Sequence, residues 1–296
     1  MKLQEERKGV LALVVLAFGF GLIAISARYL SYSFTLFQQL YLSIGVGFIF
    51  GLVIFNRKVD YAKIKKIPRK DWLIIFSRVI IGYLFGASLY RESLVLTKIS
   101  NVVFLQSIPF GAILGFILFK EKATFSKILF LTIAFIGAVL ISVKDYSQIF
   151  SFGRGELFSL ISGLLFSLSY VLRKWQTKFL NNEETTQLLF LVGFIVLFVV
   201  SIVNHEGLPV FNWNTLMIVA LLVTGFLNAV NLFLINYGYQ HVPVVLATNI
   251  LMLESVFGTI LGFIFFKEVP LLKEFLGGTL IIASVIQMNR LEENEK

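Results

Sequence analysis

Long apolar runs alternate with short polar segments along the whole chain. A helix needs about 20 apolar residues to cross a bilayer, and the approximate limits of the runs that meet this need are 9–28, 34–55, 72–95, 99–119, 127–144, 155–174, 185–204, 214–237, 243–266 and 271–289. These ten runs predict an all-α membrane protein with ten transmembrane helices. The first run is too long for the apolar core of a signal peptide, which is the competing interpretation, so we expect a retained helix.

The composition indicates that lipid is the solvent of these runs. Hydrophobic residues make up 57% of the 296 residues and charged residues 15%, whereas soluble domains are near half apolar and a quarter charged. There is no Cys for a disulfide or a thiolate metal site, and both His residues fall in predicted loops. The sequence contains no HExxH, no GxSxG and no phosphate-binding glycine loop. We therefore expect no enzyme activity, no cofactor and no metal.

The net charge of +9 arises from basic residues that cluster at the ends of the apolar runs, most densely between Arg57 and Lys70. With the amino terminus inside, 18 Lys and Arg fall in predicted cytoplasmic segments and 7 in outer segments. The positive-inside rule then predicts that both termini are cytoplasmic. The orientation of the chain in the membrane and contact with anionic lipid headgroups explain these basic residues, so nucleic acid is not an expected partner.

One nine-residue phrase occurs twice. Ile113 to Glu121 reads ILGFILFKE and Ile260 to Glu268 reads ILGFIFFKE, so eight of nine letters agree at an offset of 147. We interpret the chain as two five-helix repeats, residues 1–148 and 149–296. Five is an odd number, so the two copies enter the membrane from opposite sides. Inverted repeats of this kind are typical of secondary transporters that work by alternating access.

The longer segments around the phrase, SNVVFLQSIPFGAILGFILFKEK and ATNILMLESVFGTILGFIFFKEV, resemble the EamA-type branch of the drug/metabolite transporter superfamily. The resemblance covers essentially the whole chain. It implies a ten-helix permease of the bacterial cytoplasmic (inner) membrane that moves small metabolites, often outward. Two positions depart from the pattern. Ser255 follows Glu254 where many members have proline, and Gln38 and Gln39 stand where many carry an arginine.

Charged residues inside a membrane are costly and usually serve a purpose. Glu254, near the middle of the ninth predicted helix, is either a structural carboxyl bonded to a neighbouring helix or a group that couples transport to protons. We expect Arg78 to snorkel to the headgroups from the start of the third helix, with a cation at a cavity mouth as the alternative. Arg91 and Glu92 diverge by about 100° on a helix, so each needs another partner.

Small residues spaced by four indicate close helix packing in both repeats. The predicted packing positions are Ser107, Gly111 and Gly115 in the first repeat, and Gly258 and Gly262, on the face of Glu254, in the second.

Polar side chains in otherwise apolar helices are candidates for contact with a solute. The residues predicted to bind solute are Gln39, Asn101, Gln106, Tyr170, Asn228 and Asn231. Hydrogen bonds between helices are the competing explanation for all of them.

Together these features predict a secondary transporter of a small polar or amphipathic metabolite, such as an amino acid, with an exporter as one possibility. Its partners are the solute, the bilayer and, as candidates for coupling, protons or a counter-solute. The alternatives are a permease for nucleoside-like solutes of the S-adenosylmethionine type, a flippase for a lipid-linked carrier, and a non-transporting scaffold.

Overall fold

A computed structural model describes residues 2–30, 33–97, 99–143, 153–210, 215–267 and 269–294, and these residues are helical apart from their connections. The α-helices in chain order are α1 (Lys2–Leu30), α2 (Leu36–Ile54), α3 (Arg69–Arg78), α4 (Ala87–Leu96), α5 (Ile99–Gln106), α6 (Phe110–Leu118), α7 (Phe125–Ser142), α8 (Arg154–Val171), α9 (Asn182–Val203), α10 (Thr215–His241), α11 (Val244–Leu251), α12 (Leu253–Phe266) and α13 (Leu272–Asn294). Short 3₁₀ turns follow α2 at Tyr61–Lys66 and α8 at Leu172–Trp175. His241 therefore ends a helix, where a loop was expected.

The third predicted helix changes type along its length. A π-helical segment, Val79–Gly86, joins α3 to α4. Hydrogen bonds from residue i to i+5 widen the helix there, and they rotate the later side chains relative to an ideal α-helix. We call α3, this segment and α4 together the third rod.

The repeated segments are each interrupted. In the first, α5 ends at Gln106 and α6 begins after Pro109, which has no N–H to continue the helix. In the second, α11 and α12 meet at Met252. The fourth and ninth predicted helices are thus each built from two shorter helices.

Several helices are long and apolar enough to cross a membrane. Within the described ranges there are seven such segments: Leu36–Ile54, Arg69–Ser93, Phe125–Ser142, Arg154–Trp175, Asn182–Val203, Thr215–His241 and Val244–Phe265. Phe104–Leu118 is a shorter apolar segment.

Glycine allows close contacts between helices in the described part of the chain. A Cβ on Gly137 would lie 2.6 Å from the carbonyl oxygen of Gly277, and a Cβ on Gly277 would lie 2.5 Å from that of Gly137. α7 and α13 therefore meet backbone to backbone. α1 and α10 also pack closely, since a Cβ on Gly238 would lie 2.5 Å from Leu13.

Most charged contacts lie at one end of the bundle, which we call the basic end and define by the connections 55–68, 119–124 and 172–181. Lys127 and Glu292 are both buried there and form an ion pair of 2.7 Å. Near this end, hydrogen bonds from Lys8 and then Tyr237 hold the pKa of Glu5 below its usual range. The opposite end is defined by residues 33–35 and 204–210.

Candidate functional site

A cavity of about 100 Å³ lies between helices of the two halves, nearer the opposite end. Its polar lining comes from α2, the third rod and α10, and consists of Gln39, Ser43, Tyr83, Arg91, Thr224 and Asn228. Apolar side chains from α1 and α2 complete the wall. Gln39 and Asn228 were predicted to bind solute and Arg91 was singled out for its charge, so the structure brings three of the predicted residues together. Ser43 and Tyr83 were missed.

Arg91 is the cation of this cavity. Its Nη1 donates a hydrogen bond of 2.7 Å to Oε1 of Gln39, and Nε2 of Gln39 donates to the carbonyl oxygen of Phe34 at 2.7 Å. Arg91 thus places a guanidinium beside Gln39. In the described part of the chain, no carboxylate forms an ion pair with Arg91. Adjacent Glu92 is exposed.

The carboxylate of Glu206 lies within electrostatic range of Arg91, but it is already engaged. Glu206 accepts hydrogen bonds from the hydroxyls of Thr35 at 2.7 Å and Ser201 at 2.8 Å, and from the backbone N–H of Phe37 at 3.3 Å. It therefore satisfies the amino end of α2. The guanidinium of Arg91 keeps a neutral partner and faces the cavity.

An aromatic series crosses the middle of the bundle. Ring centroids are separated by 6.3 Å between Tyr90 and Phe166, 6.4 Å between Phe166 and Tyr170, and 6.0 Å between Tyr170 and Tyr239. Tyr170 also stacks on Phe20 at 6.5 Å. Tyr170 is therefore the centre of this series, which joins α4, α8 and α10.

Glu254 faces open space beside this series. Its side chain is exposed, yet its carboxylate lies within electrostatic range of Tyr90, from the first half, and of Tyr170, from its own half. One turn later, a Cβ on Gly258 would meet no described atom within 4 Å. Within the described ranges no ion pair or hydrogen bond joins the Glu254 carboxylate to another side chain, and neither Arg78 nor Arg91 pairs with it. It is a free carboxyl on an internal space.

The prediction that Arg78 snorkels to the headgroups is wrong. The residue is 2% exposed, and its Nε donates to the carbonyl oxygen of Ser169 at 2.9 Å, while the hydroxyl of Ser169 donates to the carbonyl oxygen of Arg78 at 3.1 Å. The physical reason is close packing of the third rod against α8. A Cβ on Gly82 would lie 2.5 Å from the Ser169 hydroxyl. The absence of a side chain on Gly82 therefore lets α8 approach closely enough to cover Arg78.

Asn231 does not share the cavity with Asn228. It is buried against α1, where a Cβ on Gly19 would lie 2.1 Å from its Oδ1. Its amide therefore packs between α10 and α1, so the structure does not bring the two asparagines to one cavity.

Asn101 and Gln106 also lie outside the Arg91 cavity, and they contact α8. Nδ2 of Asn101 donates to Glu156 at 2.9 Å, and Nε2 of Gln106 donates to the carbonyl oxygen of Ser159 at 3.0 Å and the hydroxyl of Ser162 at 3.1 Å. These hydrogen bonds place both amides between helices, where they supply donors to the buried carboxylate and carbonyl of α8, and their contact with a solute stays a prediction.

The glycine positions differ between the repeats. A Cβ on Gly111 would lie 2.3 Å from the Thr248 hydroxyl, and one on Gly115 would lie 3.1 Å from Val245, so α6 approaches α11 closely. Ser107 and Gly262 are half-buried. Gly258 departs from the prediction of a packing position, because its Cβ direction is open and only its backbone side approaches Gly21, whose Cβ would lie 3.6 Å from the Gly258 nitrogen.

A wider cavity of about 440 Å³ opens at the basic end. Its lining is Lys58, Lys178, Leu180, Asn181, Asn182, Glu183, Phe233, Tyr237, Gln240 and His241. Behind it, buried Arg173 donates from Nη2 to Asn182 at 2.8 Å and to Gln240 at 3.2 Å. The two cavities lie toward opposite ends of the bundle, with the aromatic series between them. No cluster of three or more His, Asp or Glu suited to a metal occurs among the residues that the structure describes.

The chain is similar to known transport proteins. Residues 7–143 and 153–290 each match the EamA-like transporter family. An uncharacterised transporter of Synechocystis sp. is 22% identical over 250 residues, which cover 79% of this chain and 70% of that protein. A chloroplastic WAT1-related protein of Arabidopsis thaliana is 23% identical over 194 residues, which cover 62% of this chain and 46% of that protein.

The fold is also that of a known crystal structure. It superposes with a TM-score of 0.82 over 98% of this chain and 99% of the other, at 13% identity. At that identity the likeness concerns the fold alone.

Proposed function

The chain belongs to the EamA-like transporter family, and on that premise we propose that it carries a small amphipathic carboxylate, of the amino-acid class, by alternating access. Membership of the family makes it an integral multi-pass membrane protein that transports a small solute. The solute class and the mechanism are our proposal.

The observation that carries the proposal is the contact between Arg91 and a neutral amide inside a cavity between the two halves. A guanidinium there has a charge that Gln39 does not neutralise, and a solute carboxylate would supply the missing partner. Asn228 and Ser43 offer hydrogen bonds to either end of a polar solute. The apolar side chains of the lining suit an aliphatic or aromatic group.

The size of the cavity favours a small solute. Its volume of about 100 Å³ is below the roughly 300–1,000 Å³ of sites for drug-sized ligands. A nucleoside-like solute of the S-adenosylmethionine type or a lipid-linked carrier would require a much larger opening. We therefore rank both below an amino acid.

Two further features complete the proposal. We propose ten membrane-spanning helices in two inverted repeats, supported by helices in all ten apolar runs and by the two separate family matches. We propose that both termini are cytoplasmic, supported by the basic residues of the basic end. A reporter fused within the Lys65 connection and another at the carboxyl terminus should both report the cytoplasm, and opposite reports would refute this arrangement.

Glu254 is the proposed coupling group, which binds a proton in one conformation and releases it in the other. Glu254 lies within electrostatic range of the neutral side chains of Tyr90 and Tyr170, and among the described residues it forms no ion pair that would hold it in one protonation state. A counter-solute is the alternative partner.

The test is counterflow into liposomes that contain the purified protein. Liposomes are loaded with one L-amino acid at a time, and accumulation of the labelled acid is compared with that of its carboxamide, which has the same shape but no carboxylate. We expect accumulation of one or more acids and little of the amides. Equal transport of acids and amides, or of neither, would contradict the proposed solute class.

A further inference from the structure

We propose that Arg78 is a second binding station for the carboxylate of the solute, on the path from the Arg91 cavity to the basic end. This inference rests on the proposed function and extends it, because it assigns an anion site that lies outside both cavities.

The geometry of Arg78 indicates a guanidinium that lacks an anion. The side chain is 2% exposed, so its charge is removed from water. Its Nε binds a neutral carbonyl of Ser169, and its Nη1 is buried without a hydrogen-bond partner among the described residues. A buried charge is normally paired with an opposite charge, and in the described part of the chain Arg78 has no such pair.

The groups around Arg78 further favour the binding of an anion beside its guanidinium. Arg173, a second buried guanidinium, lies within electrostatic range of Arg78. Its Nη2 binds the neutral amides of Asn182 and Gln240. Asp71 is in range of Arg173, but it accepts both hydrogen bonds of Thr177, at 2.8 and 2.5 Å. An arriving carboxylate would therefore relieve repulsion between like charges as well as satisfy Nη1.

The position of Arg78 connects it to the solute cavity. Arg78 and Arg91 lie on the same rod, 13 residues apart, or about 20 Å at the rise of a helix. Tyr83 lies between them, where it lines the Arg91 cavity and is within electrostatic range of Arg78. Beyond Arg78, the amides that hold Arg173 line the wide cavity at the basic end. The guanidiniums of Arg91, Arg78 and Arg173 therefore form a series that leads from the Arg91 cavity to the wide cavity at the basic end.

The π-helical segment, Val79–Gly86, begins directly after Arg78 and lies between the two guanidiniums. Its wider turn alters the angle between residues before and after it.

The first experiment measures charge selectivity. Arg78→Gln keeps a long polar side chain without the charge, and Arg78→Lys keeps the charge without the fork. The probes are the best-transported L-amino acid and its carboxamide. We expect Arg78→Gln to lower transport of the acid about tenfold or more relative to the amide, as the loss of a charge-assisted hydrogen bond implies. Arg78→Lys should keep most of the selectivity. Arg69→Gln, an exposed charge on the same rod, is the matched control and should change nothing.

The second experiment needs no transported solute. The natural chain has no cysteine, so a single Tyr83→Cys change provides one thiol between the arginines. Its rates of reaction with an anionic sulfonatoethyl and a cationic trimethylammonioethyl methanethiosulfonate are compared. The anionic reagent should react faster, and Arg78→Gln should lower the ratio of the two rates by about fivefold or more. With Arg78 intact, acetate should slow the anionic reagent and acetamide should not.

The outcomes separate the two proposals. If the rate ratio and the acetate effect are as expected but no amino acid is transported, the anion station stands and the proposed solute class fails. If Arg78→Gln reduces acid and amide equally, or leaves the rate ratio unchanged, Arg78 is only a packing residue. If Arg78→Gln does not fold, Arg78→Lys and the acetate effect in the Arg78 protein decide the question.

Discussion

The carboxylate of Glu121 accepts the backbone N–H of Val244 at 2.7 Å. Its other oxygen accepts the N–H of Val245 at 3.0 Å. The last residue of the repeated phrase in the first half therefore holds the amino end of α11 in the second half. That end begins after Pro243, which supplies no side-chain acceptor, so a carboxylate from elsewhere satisfies the free N–H groups and the helix dipole.

Replacement of Glu121 by Gln should lower the melting temperature of the detergent-solubilised protein. Gln offers one neutral acceptor where the carboxylate offers two charged ones, which corresponds to a loss of about 1 kcal/mol and a shift of about 2–4 °C. Lys122→Gln, an exposed neighbour, is the control and should have no effect. Equal melting temperatures for all three proteins would show that this contact adds nothing to stability.

Arg91→Gln should raise the KM for the transported acid about tenfold or more, because the solute carboxylate loses its charged partner. The KM of Arg91→Lys should lie between those of the wild type and Arg91→Gln, because an ammonium keeps the positive charge but lacks the planar fork of the guanidinium. Uptake rates in liposomes over a range of solute concentrations give the KM. Glu92→Gln alters the next residue, which is exposed, and its KM should match the wild type. A normal KM in Arg91→Gln would exclude the arginine from the solute site.

Two glycine-to-alanine changes should have opposite effects on stability. Gly137→Ala places a methyl group against the carbonyl of Gly277, where the backbone cannot yield, and overpacking of this kind costs about 1–3 kcal/mol. Gly258→Ala enters open space and should gain up to about 1 kcal/mol from helix propensity. Melting temperatures compare the two. If Gly258→Ala destabilises as much as Gly137→Ala, the space beside Glu254 is filled.

Glu254→Gln should fold and exchange solute but lose accumulation driven by a pH gradient. The amide keeps the shape and much of the hydrogen bonding of the carboxyl but cannot ionise. Exchange needs no net proton movement, whereas uphill transport does. Both are measured in the same liposomes, with and without the gradient. Unchanged uphill transport would rule out the proton role, and loss of folded protein would favour a structural carboxyl.

Much of the architecture could be predicted from local pattern, because apolar length and the repeated phrase are properties of single segments. The surroundings of individual side chains could not. Arg78 stands near the start of a predicted helix, and only the approach of α8 at Gly82 shows that it is buried. The helical spacing of Asn228 and Asn231 predicts that they share a face, yet Asn231 packs against Gly19 on α1 and Asn228 lines the cavity. Such outcomes depend on which helix lies opposite, and the sequence pattern carries no such information.

Glu121 is another residue whose contacts could not be predicted from the sequence pattern. The repeated phrase identifies the residue, but its role needs the position of α11, which lies 123 residues further along the chain. Tyr83 and Ser43 were missed for a similar reason, because each looks like an ordinary residue of an apolar helix until the neighbouring helices form the cavity around it.

The central claim is that the cavity between the two halves opens to each side of the membrane in turn. Single Asn228→Cys and Asn231→Cys variants, in reconstituted protein, are treated with a membrane-impermeant thiol reagent from one side and then from the other, with and without the transported acid. We predict that Asn228→Cys reacts from both sides and is protected by the acid, while Asn231→Cys, packed against Gly19, reacts from neither. An Asn228→Cys thiol that reacts from one side only, under every condition, or that never reacts would contradict the account.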